Sequence, residues 1–106
     1  MEEIRFLHRQ AMDLAERGAE LKMDGDEKGA VDFFSQAFLK EKQAAELVTD
    51  EEKDDLRRED LFRSAAILAK ESGRLDLVEK MFSLALEGGP ALRRRRRKEK
   101  GIKADN

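Results

Sequence analysis

The sequence predicts an all-α fold of four helices arranged as two antiparallel hairpins. Apolar residues recur at intervals of three and four along four segments, which is the spacing of one helix face. No segment shows the strict alternation or the β-branched composition of a strand. Gly25 and Gly73 each have a small residue seven positions before them and a phenylalanine nine positions after them. One helix–turn–helix unit is therefore predicted to occur twice.

The first two helices are separated by a turn that contains glycine. A stripe of apolar residues from Glu2 to about Met23 predicts the first helix. Asp24-Gly25-Asp26 ends it, because glycine adopts the left-handed turn and Asp26 can cap the helix that follows. The second helix is predicted from Glu27 to about Val48. Its inward residues are Ala30, Val31, Phe34, Ala37, Phe38, Ala45 and Val48.

The third and fourth helices repeat this arrangement. Thr49-Asp50-Glu51-Glu52 has the form of a capping box, which predicts that the third helix begins there and continues to Ser72-Gly73. The fourth helix is predicted from Leu75 to Glu87, and Gly88-Gly89-Pro90 closes it. The inward residues are Leu56, Phe62, Ala65, Ala66 and Ala69 in the third helix, and Val78, Met81, Phe82 and Ala85 in the fourth.

The charge divides the chain into two parts, a helical domain at 1–92 and a basic tail at 93–106. The tail contains eight Lys or Arg and two Asp or Glu, so its net charge is +6. The rest contains 14 basic and 22 acidic residues, so its net charge is −8 and the whole chain has −2. An acidic helical domain and a basic tail are expected to act as separate units.

Catalytic chemistry finds no support in the sequence, and neither an enzyme nor a cofactor or metal site is expected. The chain has no cysteine, and its one histidine, His8, has no partner pattern and is interpreted as an ordinary helix-face residue. Glycine-rich nucleotide motifs are absent. No apolar run is long enough to span a membrane, and the acidic start lacks a signal core. A cytoplasmic protein is expected.

A family resemblance follows from the repeated unit. Residues 61–90 resemble a tetratricopeptide repeat (TPR), with Phe62, Ala66, Gly73, Val78, Phe82, Ala85 and Pro90 at matching positions. Residues 14–37 resemble it less closely. The two copies are spaced 48 residues apart, longer than the family's repeat, which predicts extended central helices. The first three helices also resemble a microtubule-interacting and transport (MIT) domain.

The resemblance implies a binding module that holds a partner protein or peptide segment in a groove. In TPR proteins the first helix of each hairpin lines this groove. The corresponding residues here are Ala15, Ala19, Lys22, Arg63, Ile67 and Lys70. Alanines at the first two positions do not match the Lys and Asn clamp of the chaperone-binding members, so binding of chaperone tails is not expected.

The basic run in the tail leaves three interpretations open. It can be a solubilising tail, a site for nucleic acid or an acidic surface, or a nuclear address. No aromatic residue is interleaved with the arginines, so sequence-specific base stacking is not expected. The residues concerned are Arg93, Arg94, Arg95, Arg96, Arg97 and Lys98.

Several apolar residues predict self-association, most simply as a homodimer. Phe34, Phe38, Phe62 and Phe82 are predicted to be core residues, whereas Phe6 and Phe33 can pack on a neighbouring helix or line a docking surface. The fourth helix has no helix predicted after it, and a tail of Arg and Lys cannot cover an apolar face. The residues expected to stay partly exposed on it are Leu75, Leu84 and Leu86. Such a patch is typical of an interface.

Overall fold

A computed structural model describes residues 2–49 and 56–87, and these form four helices with no strand among them. The helices are α1 (Glu2–Met23), α2 (Glu27–Leu47), α3 (Arg58–Glu71) and α4 (Leu75–Glu87). The predicted all-α fold is confirmed. The predicted Gly88-Gly89-Pro90 closure and the tail at 93–106 lie outside the described residues.

Each helix packs mainly against the next one along the chain, α1 on α2, α2 on α3 and α3 on α4. The core between them is formed largely by alanine and phenylalanine. Fully buried alanines allow the helix backbones to approach closely, and larger side chains fill the remaining space. The fully buried alanines are Ala11, Ala37, Ala44, Ala45, Ala65, Ala66 and Ala69.

The two turns predicted from glycine have the expected backbone. Gly25 and Gly73 have φ angles of 89° and 79°, in the left-handed region that residues with a Cβ adopt only with strain. Asp26 caps α2 through its side chain, which accepts a hydrogen bond of 2.9 Å from the amide of Gly29. These contacts end α1 and begin α2 where the sequence predicts.

The predicted start of α3 is wrong. Leu56 and Arg57, which lie inside the predicted helix, are not helical, and α3 begins at Arg58 without a side-chain cap. Residues 50–55, which include most of the predicted capping box, lie outside the described residues. At the observed start the Arg58 guanidinium lies 4.6 Å from the ring centre of Phe62, four residues later in the same helix, and donates to the Leu84 carbonyl of α4 at 3.4 Å. α3 is therefore a helix of 14 residues and has no added turns.

The predicted burial of Phe82 is also wrong. Phe82 is 41% exposed, and the adjacent Met81 is fully buried in its place. In the first repeat the Phe34 ring packs directly on Gly18, where an added Cβ would lie 3.1 Å from the ring. The matching residue of the second repeat is Ala66, which carries that Cβ, so a ring cannot pack there in the same way. The flexible methionine fills the narrower space.

Val31, predicted to face inward, is exposed as well. It lies one residue beyond the buried Ala30, and one residue turns an α-helix by 100°, so its side chain leaves the buried face. Leu84 is half-buried against the core, Phe33 is half-buried, and Phe6 is exposed. Among the described helices, none is long and apolar enough to cross a membrane.

Candidate functional site

The candidate site is the outer face shared by α1 and α3. The Lys22 ammonium donates a hydrogen bond of 2.9 Å to Oε2 of Glu71, and this ion pair joins the last turns of the two helices. The carboxyl ends of α1 and α3 therefore lie side by side. The Lys22 side chain is largely exposed and that of Glu71 partly exposed, so this ion pair contributes little to the stability of the fold. It shows instead that the two helix ends are in contact.

The residues predicted to line the groove are almost all at the surface. Ala19, Lys22, Arg63, Ile67 and Lys70 are exposed, and Ala15 is half-buried against the core. Of these, Lys22 is the one that a hydrogen bond among the described residues connects to the opposite helix.

Ile67 is the exposed apolar residue of this face, with 57% of its surface accessible. Arg63 precedes it by four residues and Glu71 follows it by four, so the three side chains form one row along α3. Arg63 also pairs with Asp60 on the preceding turn at 3.7 Å. Along this row a partner would meet the cation Arg63, then the apolar Ile67, then the anion Glu71.

A cavity of about 160 Å³ borders the ion pair at the end of this row. Buried Ala30 and Phe34 of α2 contribute apolar lining, and Val31 contributes an exposed apolar side chain. The full set of lining residues is Lys22, Glu27, Ala30, Val31, Phe34 and Glu71. The cavity has an apolar interior with charged groups around it, which suits one apolar side chain of a partner.

Most of this cavity was not predicted from the sequence. Lys22 was predicted to line the groove, whereas Val31 was predicted to face inward, and Glu27 and Glu71 were not assigned to the groove. One pattern in the sequence could have shown that Glu71 belongs to this face. Arg63, Ile67 and Glu71 are spaced by four residues, so they lie on the same side of α3 up to its last turn.

His8 does not behave as an ordinary surface residue. Its Nδ1 lies 2.8 Å from Oε1 and 3.0 Å from Oε2 of Glu41, a fully buried residue of α2. In the tautomer that carries its proton on Nδ1, the His8 ring donates to this carboxylate. The half-exposed His8 thus holds a buried carboxylate between α1 and α2. His8 lies on α1 and Glu41 on α2, so this contact joins the two helices.

A second exposed feature lies on α4. Leu75, Phe82 and Leu86 are separated by seven and four residues, so they lie on one side of the helix, and Leu75 is 70% exposed. We call Leu75, Phe82 and Leu86 the outer stripe of α4. Arg74 and Asp76 at its amino end form an ion pair at 3.2 Å, and the hydrogen bond from Arg74 lowers the pKa of Asp76 below its ordinary range.

The arginines and lysine predicted to bind anions, 93–98, lie outside the described residues. No protein-family model, curated protein or solved structure matches this chain. The resemblance to TPR and MIT domains consequently remains a prediction from the sequence.

Proposed function

We propose that the chain is a non-catalytic protein-interaction module of the TPR-like class, which holds a short segment of a partner protein against α1 and α3. The observation that carries this proposal is the cavity beside the Lys22–Glu71 pair. It lies where three helices meet, and apolar residues with charged neighbours line it, as in sites that anchor one side chain of a peptide.

The row on α3 supplies the rest of the contact. From Arg63 to Glu71 it extends about 12 Å, the rise of eight helical residues. An extended peptide of about four residues has the same length. The segment that fits best has an apolar side chain for the cavity, a second apolar residue for Ile67, and an acidic residue facing Arg63. The cation at that end of the row favours an acid there.

The proposal can be tested without knowing the natural partner. Peptides selected by phage display on the full chain should contain two apolar residues and an acid, and they should shift the NMR resonances of Lys22, Ile67 and Glu71. The variant Ile67→Asp should lose these peptides. The matched control is Leu39→Asp, because Leu39 is an apolar residue of α2 with 62% exposure that lies on neither the cavity nor the row.

Two results would contradict this function. One is peptides that bind the Ile67→Asp variant as tightly as the unaltered chain, and the other is a selection that yields no peptide with saturable binding. Equal loss in the Leu39→Asp control would show that the substitution acts through general damage and not through the proposed site.

A second candidate function uses the tail, because its net charge of +6 on a short segment attracts polyanions. In this case the chain is an accessory protein for nucleic acid or another acidic surface. Replacing Arg93, Arg94, Arg95, Arg96, Arg97 and Lys98 by Gln in the full chain should then abolish salt-dependent binding of single-stranded DNA. Peptide binding at the α1–α3 face should be unchanged by the same substitutions.

A further inference from the structure

We propose that the cavity beside the Lys22–Glu71 pair selects a partner segment in which a basic residue stands next to the apolar anchor, and that Glu27 recognises this basic residue. The inference rests on the proposed function of the same site and adds the charge of the segment that binds there. It begins from the charged groups at the cavity, which are two carboxylates, those of Glu27 and Glu71, and one ammonium, that of Lys22.

The ammonium is already paired with one of the two carboxylates. Lys22 Nζ lies 2.9 Å from Oε2 of Glu71, so the charges of these two side chains offset each other. One negative charge, that of Glu27, therefore remains at the cavity.

Glu27 is the carboxylate without a counter-charge. It is the first residue of α2, it is exposed, and among the described residues no hydrogen bond or ion pair joins its side chain to another group. Lys28 follows it, but one residue turns an α-helix by about 100°, and Lys28 does not line the cavity. With Asp24 and Asp26, residues 24–28 contain three acidic residues and one basic residue, a net charge of −2. This side of the cavity therefore attracts a cation.

The interior of the cavity suits an apolar anchor better than a basic one. Ala30 and Phe34 line it and are buried, so a cation placed against them would lose its hydration without gaining a partner. Glu27 is exposed, and a cation that pairs with it stays in contact with water. The basic residue of the segment is thus the neighbour of the anchor and not the anchor itself.

The charge at the other end of the row on α3 has the opposite sign. Arg63 lies about 12 Å before Glu71, and its ion pair with Asp60 is exposed and long at 3.7 Å. A segment with an acid at the Arg63 end and a base at the Glu27 end meets opposite charges at both ends. The same segment turned round meets like charges at both ends. The charges therefore set the orientation of the segment along α3, which the apolar contacts alone do not.

Fluorescence anisotropy of labelled peptides bound to the full chain measures this preference. The probe is a peptide from the phage selection, synthesised with Lys, norleucine or Glu beyond the apolar residue that is farther from its acid. Affinity should fall in the order Lys, norleucine, Glu, by roughly 1.5-fold to fivefold at each step, the range for one exposed ion pair. The steps should shrink as salt is added, because salt screens exposed charges.

Substitution of Glu27 tests whether this residue reads the charge. Glu27→Lys should reverse the order, so that the Glu peptide binds best, and Glu27→Gln should bind all three peptides about equally. The matched control is Glu79→Lys, which changes the net charge by the same amount at an exposed residue of α4 outside the cavity and the row. This control should keep the order of the unaltered chain. Circular dichroism checks that each variant keeps its helices.

The outcomes separate this inference from the proposed function. If the peptides bind the unaltered chain without preference, or if folded Glu27→Lys still prefers Lys, Glu27 does not select a base and this inference is overturned, while the peptide site stands. If no selected peptide binds saturably, or if Ile67→Asp binds as tightly as the unaltered chain, the proposed function fails and this inference fails with it.

Discussion

Two neighbouring residues of α4 provide a sharp test of how the second hairpin is packed. Met81 is fully buried, whereas the larger Phe82 is 41% exposed. Met81→Ala should therefore destabilise the domain more than Phe82→Ala, although phenylalanine has the larger side chain. Met81→Ala should reduce the free energy of unfolding by about 2–4 kcal/mol, the range for emptying a buried methionine site.

The expected effect of Phe82→Ala follows from its partial burial. Full burial of a phenylalanine contributes roughly 1.5–3 kcal/mol, and about three-fifths of Phe82 is covered, so its share is about 1–2 kcal/mol. Alanine is the better helix former by about 0.5 kcal/mol, which leaves a loss of about 0.5–1.5 kcal/mol. The loss stays small because water already reaches the ring.

Urea unfolding followed by circular dichroism measures both variants. The protein concentration should be a few micromolar, so that any self-association of the chain is absent. The urea dependence should be the same for both variants, which indicates an unchanged exposed area on unfolding. A greater loss for Phe82→Ala than for Met81→Ala would refute the packing described for α4 and would support the burial that the sequence predicts.

Three further substitutions or titrations follow from the structure. Gly18→Ala should destabilise the domain by roughly 0–2 kcal/mol in urea unfolding. Overpacking against Phe34 costs about 1–3 kcal/mol, and the higher helix propensity of alanine returns about 1 kcal/mol. A more stable variant would contradict the close approach of the ring to Gly18. His8→Leu should cost about 1–3 kcal/mol by leaving the Glu41 carboxylate buried without its donor, and His8→Leu with Glu41→Leu should recover much of the loss. Asp76 should titrate by NMR below an ordinary aspartate, so its small contribution to stability is present above the ordinary pKa and is lost as pH falls through the lowered one.

The helices and their turns could be predicted because both depend on local signals. Apolar spacing along one helix and glycine at a left-handed position involve only a few neighbouring residues. Gly25 and Gly73 are confirmed at positive φ for this reason. The start of α3 was missed, and one contact there, from Arg58 to the Leu84 carbonyl of α4, joins residues that come together only in the folded chain.

The candidate site was only partly predictable for a similar reason. Lys22 and Ile67 follow from their repeat positions, but the Lys22–Glu71 contact joins residues 49 positions apart. The pairing of His8 with Glu41 spans 33 positions and leaves no local pattern. Spacing within a single helix shows which residues share a face, but it does not show which face of another helix comes opposite.

The difference between Gly18 and Ala66 has a consequence for how the two hairpins open. In the first hairpin the rigid Phe34 ring lies against Gly18, and this contact fixes the distance between α1 and α2. In the second hairpin a methionine with three rotatable bonds fills the space, and among the described helices α4 packs extensively on α3 alone. Amides of α4 should therefore exchange with solvent hydrogen sooner than those of α2, and α4 is the end from which the domain unravels.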